Sequence, residues 1–253
     1  MSIKPGTQIK KDNYQFQYRQ KTSKQRNGLD ILTYGSYHIQ PGCKSEQLFE
    51  KNREVILFSM SDDITVLVDG TQYNLAFYDT LYIPIETFYT IENNSDQEAM
   101  VIVCKAQAQK KHKVHYSCWK EYSENEKRIS KLNKKDVFLM FDVTEDADRL
   151  MAGYTIYEPN TRAWPPHNHT DQEEVYIFTK GKGSMEVYAD EETKTFVHNV
   201  DQYDAVSIPV LNYHPVFSQD EELHFIWCIA GERYWVGDKN KDFMSAKVDK
   251  LTT

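Results

Sequence analysis

The stretch AWPPHNHTDQEEVYIF, residues 163–178, sets two histidines two positions apart and follows them with two glutamates and a β-forming run. Alternate side chains of an extended segment share a face, so His167 and His169 project from one side about 7 Å apart while Asn168 points away. Two imidazoles so placed converge on one ion. Beyond the polar TDQ turn, Glu174, Tyr176 and Phe178 share one face of the next strand, and Glu173, Val175 and Ile177 share the other. One of the two glutamates can therefore join the histidines.

A metal site needs deprotonated nitrogen and oxygen donors held in a fixed geometry, and three donors from neighbouring strands leave one side open. His214, within IPVLNYHPVF, follows a turn proline and returns beside the first pair if the strands form an antiparallel barrel. A lone H-x-H pair reads as exposed edge-strand histidines; the spaced carboxylate and the distant third histidine turn the reading toward metal. The remaining histidines lack such company. His112 and His115 fall in a charged stretch, His198 in a loop and His224 at the start of an apolar strand, so they read as solvated or packed.

The elements that must position these donors are short, aromatic or β-branched, and bounded by turn residues: EVILFSM, ITVLVDG, TLYIP, MVIVC, VFLMFDV, VYIFTKGKG, AVSIP and HFIWCIAG. Closely spaced segments of this kind predict an all-β antiparallel sandwich or barrel and exclude βαβ units. An internal repeat divides them. DTLYIP from Asp79 matches DAVSIP from Asp204 at an offset of 125, which sets Tyr89 opposite His214. REVILF from Arg53 matches EEVYIF from Glu173 at an offset of 120, and VIVCKA matches FIWCIA at 124. In this alignment Gln47, Phe49, Glu54 and Tyr89 stand where the second half has His167, His169, Glu174 and His214, so the first copy keeps only the glutamate and holds no metal in the same way. Phe and Tyr in place of ligands read as packed core, making the first copy a structural or interface unit.

The expected organisation is a metal-free barrel over residues 1–108, a charged linker with a short helix over 109–136 and a metal-binding barrel over 137–253. A chain of 253 residues with 40% apolar residues has enough material for two cores. The net charge of −8 excludes a nucleic-acid or anionic-membrane surface, and the mixed charges of the linker read as solvated. No stretch has the apolar length of a membrane span and the N-terminal residues lack a signal-peptide core, so a cytoplasmic protein is expected. Cys43, Cys104, Cys118 and Cys228 form no CxxC pair and read as reduced thiols.

PPHNHTDQEEVYIF, the following GKG and IPVLNYHPVF resemble the two motifs of the cupin superfamily, and the repeat then implies a bicupin, two tandem double-stranded β-barrels of jelly-roll type. Within the bicupins the chain resembles the family that joins 5-deoxy-glucuronate isomerase with 5-keto-4-deoxyuronate isomerase. PPH, YHPV and AGERYWV are similar to the former; REVILF, ITVLVDGTQY, DTLYIP, EVYIF and FIWCIAGE are similar to the latter. The sequence departs from both, with HNHTDQEE where one carries an arginine pair and without the insertion that the other has before the glutamate. The resemblance implies a metal set of His167, His169, Glu174 and His214, one divalent ion per chain, and zinc ahead of manganese, iron or nickel. It also implies aldose–ketose isomerisation of a deoxy-uronate, 5-deoxy-glucuronate first and the pectin-derived ketouronate second. Glu174 and Tyr176 are the candidates for catalysis, and Arg162 and Tyr213 for binding the sugar acid. An iron-dependent dioxygenase or a non-catalytic sugar-acid-binding cupin are the competing readings, separated by oxygen consumption and by binding without turnover; a homo-oligomer is left open.

Overall fold

The computed structural model describes residues 14–20, 28–162, 166–190, 192 and 194–235. Pro165 of PPH and Val236 of AGERYWV lie outside the described residues. The architecture is all-β. One six-stranded sheet runs in the order β1 (Phe16–Gln20), β2 (Leu32–Ile39), β9 (Ala99–Gln107), β4 (Arg53–Ser59), β7 (Thr80–Ile83), β10 (His115–Ser117). A second has the order β11 (Ile129–Leu132), β12 (Lys135–Phe141), β13 (Leu150–Tyr157), β19 (Leu223–Gly231), β14 (Gln172–Lys180), β17 (Ala205–Ile208).

Each large sheet closes over a smaller one. β3 (Leu48–Glu50), β8 (Thr87–Asn93), β5 (Ile64–Val68) and β6 (Thr71–Leu75) complete the first barrel, and β16 (Lys194–Val200), β15 (Gly183–Tyr188) and β18 (Val216–Ser218) the second. The period of two decides what each face does. On β4, Val55 and Leu57 enter the first barrel's core with Val66, Val101, Val103 and Ile91, while Ile56 and Phe58 turn outward. On β14, Tyr176 and Phe178 enter the second core with Met185, Val187, Phe225 and Trp227, while Val175 and Ile177 turn outward. The outward residues of both barrels form one buried cluster, in which Ile56, Phe58 and Cys104 meet Tyr154, Val175 and Cys228. The two large sheets thus pack back to back. Gly153 faces the other way, into the second core, where a Cβ would come within 1.9 Å of the Phe138 carbonyl and 2.6 Å of the Trp227 ring.

The strand register corrects one alignment made from the sequence. Glu54 lies opposite Ala106 on β9, and Glu173, not Glu174, lies opposite Ala230, the matching residue of β19. The offset is therefore 119 rather than 120, and Val55 occupies the place of Glu174; the first barrel does not keep the glutamate. Glu54 and Glu173 instead do the same work on opposite sides of the interface. Glu173 accepts the backbone N–H groups of Ile31 and Leu32 at 2.8 Å each, together with that of Asp30, at the start of β2. Glu54 accepts those of Arg149 and Leu150 at 2.7 Å each, and of Asp148 at 3.0 Å, at the start of β13. Each barrel caps an incoming strand of the other with a buried carboxylate.

Two further expectations are altered. The charged segment 109–136 is folded: β10 joins the first sheet, a short helix α1 spans Trp119–Tyr122, and β11 with the first residues of β12 belongs to the second sheet. Most of its charges lie in the loops, the helix and the turns between these short strands, which breaks up the alternation. Phe49 does not fill the first barrel; it is 44% exposed and stacks on Phe88, itself 46% exposed. Tyr89 is buried and exchanges a hydroxyl contact with Tyr37 at 3.2 Å. The four cysteines are free thiols, Cys104 and Cys228 buried, and among the described residues no helix is long and apolar enough to cross a membrane.

Candidate metal centre

His167 and His169 precede β14 in a segment outside any strand. This segment is pinned to the 209–212 turn: the Leu211 N–H donates to the His169 carbonyl at 2.6 Å, and the Asn168 amide reaches the Leu211 carbonyl. Asn168 accordingly faces away from the imidazoles, as alternation requires. The turn takes Leu211 to a φ of 65°, in the left-handed region that a bulky residue enters only under constraint. It also delivers His214, which follows Tyr213, bridged to Tyr188. β14 supplies Glu174 on its inward face, between Ile208 of β17 and Ile229 of β19.

One potential ligand atom from each of His167, His169, Glu174 and His214 lies within 4.8 Å of the others. His169 Nε2 and His214 Nε2 each lie 3.1 Å from Glu174 Oε2. Those three atoms are buried, yet none makes a hydrogen bond of acceptable geometry. Leaving such groups unsatisfied costs about 1–3 kcal/mol apiece, and a shared cation removes that cost. The His214 Nδ1–H donates to the Asn212 carbonyl at 3.0 Å, a contact that leaves Nε2 with its lone pair toward the cluster. Burial, followed by the neighbouring His214, His169 and Lys135, holds the His167 imidazole well below its usual range and so neutral, as a ligand must be. Burial raises the Glu174 carboxyl, but the adjacent His169 and His214 outweigh it and bring the group to about 2. The donor set fits a divalent transition ion.

The cluster opens on a cavity lined by Lys135, Thr155, Tyr157, Tyr176, Phe225 and Trp227, among others. Tyr176 stands with its ring 5.5 Å from that of His214 and 4.5 Å from that of Phe225. Burial, with Glu174 nearby, pushes its phenol well above the usual range. The other two sequence candidates are elsewhere. Arg162 lies over the Phe217 ring at 4.8 Å, and Tyr213 stacks on Tyr188 at 5.6 Å; neither lines the cavity. Arg162 and Tyr213 lie outside the named strands, in isolated bridges to Phe217 and Tyr188. Lys135 and Tyr157 were missed. Extending the inward alternation of VFLMF back from Val137 by two residues reaches Lys135, but the surrounding lysines masked it.

Two tandem double-stranded barrels, one of which converges three histidines and a carboxylate at its mouth, define a bicupin. The chain belongs to the KduI/IolB family, whose model matches residues 4–245. It is 26% identical over 209 residues to the 4-deoxy-L-threo-5-hexosulose-uronate ketol-isomerase of Bacillus pumilus, covering 78% of this chain and 74% of that protein. Among solved structures it is similar to an IolB-like protein from Salmonella typhimurium, with a TM-score of 0.73 and 16% identity over 91% of this chain and 95% of that one. A Bacillus subtilis oxalate decarboxylase superposes with a TM-score of 0.68 and 15% identity over 86% of this chain and 73% of that one. The two structural likenesses establish the fold alone.

Proposed function

We propose that the protein is a metal-dependent aldose–ketose isomerase of a deoxy-uronate. The observation that carries this reading is the convergence of His167, His169, Glu174 and His214 at the mouth of a cavity, in a chain of the KduI/IolB family. A divalent transition ion held by these four residues would supply Lewis acidity toward a carbonyl and its neighbouring hydroxyl. We read the ion as zinc; the same donors suit manganese, iron or nickel.

The chain's own groups divide the remaining work. Glu174 points its Oε2 at both Nε2 atoms, so its role is to hold the ion rather than to shuttle a proton. Tyr176 keeps its proton because burial disfavours the phenolate, so its hydroxyl serves as a hydrogen-bond donor to a substrate oxygen in the cavity. Phe225 and Trp227 exclude water around that oxygen.

The Bacillus pumilus relative moves 4-deoxy-L-threo-5-hexosulose-uronate ahead of 5-deoxy-glucuronate as the substrate, reversing the order read from PPH and YHPV. Zinc-loaded protein incubated with each sugar in deuterated water and followed by NMR tests the reading. Conversion of a ketose to an aldose, or the reverse, with deuterium at the carbon beside the carbonyl is expected for one of them. Unchanged spectra for both, with folded and metal-loaded protein, would refute it.

A further inference from the structure

The cavity beside the metal cluster holds a lysine. Lys135 opens β12 and pairs across the sheet with Tyr157 of β13. The period of two puts it on the face that carries Val137 and Leu139 into the second core, while Phe138 and Met140 face the other barrel. Its Nζ stands 5.7 Å from the centre of the Tyr157 ring, and it lines the same cavity as all four cluster residues. The remaining walls include Phe225, Trp227 and Trp235, so the amine projects into a space poor in water. Burial lowers the ammonium from its usual range to about 8.

The first barrel offers an internal comparison. Leu32 and Leu150 face the matching residues Ala106 and Ala230, so Ile39 and Tyr157 hold the same place on β2 and β13. Ile39 pairs with Phe16, which stacks on Tyr37 at 5.3 Å. Phe16 therefore stands where the second barrel has Lys135, just as Val55 stands where it has Glu174. The lysine accompanies the metal cluster and is absent from the barrel that lacks it.

We propose that Lys135 is the specificity-determining cation that binds the carboxylate of the sugar acid. This rests on the uronate-isomerase reading and deepens it. An ammonium–carboxylate hydrogen bond in an aromatic, water-poor cavity is stronger than the same contact in water. A lysine also suits the site geometrically, because a compact charge on a flexible stem follows the carboxylate as the other end of the sugar changes shape. Anchoring one end of the substrate leaves its carbonyl end to the cluster, which turns a metal site into one selective for acids.

The test is equilibrium binding of glucuronate and of neutral glucuronamide to zinc-loaded protein, read by fluorescence of Trp227 and Trp235 in the cavity wall. The wild type should prefer glucuronate. In Lys135→Met, glucuronate should bind roughly ten- to a hundredfold more weakly and glucuronamide unchanged, with zinc content and thermal midpoint retained. Lys135→Arg should keep part of the preference, and Lys135→Gln serves in place of the methionine variant if that one misfolds. A wild type without preference for the acid, or a variant that binds glucuronate as the wild type does or loses both ligands equally, would overturn the proposal. Because no turnover is needed, selective binding in a protein that isomerises neither deoxy-uronate refutes the enzyme reading alone. Isomerisation by wild type with an indifferent Lys135→Met refutes this one alone.

Discussion

His214 decides whether the cluster is a closed donor set or an H-x-H pair beside a glutamate. It comes from a separate turn, and its Nδ1 contact with Asn212 holds Nε2 toward Glu174. Removing it opens the set and frees the buried carboxylate oxygen of a partner. His214→Ala is therefore expected to lose most of its bound metal in elemental analysis, by at least tenfold in affinity. His198→Ala and His224→Ala should keep it, since His198 packs against Phe196 and His224 contacts Tyr78 and Glu222, none of them a member of the cluster. Equal losses from the three variants would mean that His214 is not a ligand. At this scale the sequence was readable where chemistry restricts residue type and spacing: His167, His169, Glu174 and His214 come together in space. Arg162 and Tyr213 lie off the cavity wall, because adjacency to a ligand in sequence does not fix where a side chain outside a strand points.

At the scale of elements, the most informative feature is the pair of carboxylates, Glu54 and Glu173, that cap strands across the interface. In the sequence Glu54 aligns with the ligand Glu174, and Glu173 is one of two adjacent glutamates in EEVYIF; neither carries a mark of capping. A shift of one residue exchanges the two faces of a strand, so the repeat aligned at 120 joined a capping residue to a ligand. Only register distinguishes them. The roles predict different losses. Glu173→Gln sets an amide against three backbone N–H groups and should cost about 2–4 kcal/mol of stability in chemical denaturation, with metal content unchanged. Glu174→Gln should lose metal instead. A Glu173→Gln protein with an unaltered unfolding midpoint would remove the capping role. The β-strands themselves are legible from their alternation, whereas β11 and the start of β12 are hidden by a run of lysines, of which Lys131 is exposed and Lys135 turns inward.

Over the whole molecule, the back-to-back packing of the two large sheets makes the barrels depend on one another. Phe58 of the first meets Tyr154 of the second edge to face at 6.0 Å, inside a cluster with no break between the halves. Calorimetry should record a single unfolding transition, and Phe58→Ala should lower the stability of the whole by about 3–5 kcal/mol. Two separate transitions, with only one moved by the substitution, would contradict this. The repeat announced two barrels, but nothing in it could say which faces meet, because outward and inward residues are equally apolar in strands buried on both sides.

The proposed isomerisation needs one ion, held in the second barrel, because Val55 and Tyr89 leave the first barrel without an equivalent set. Titrating metal-stripped protein with zinc while assaying isomerisation of 4-deoxy-L-threo-5-hexosulose-uronate tests it most directly. Activity is expected to rise linearly and to reach its plateau at about one ion per chain. Full activity in the stripped protein, or a plateau at two ions per chain, would contradict it.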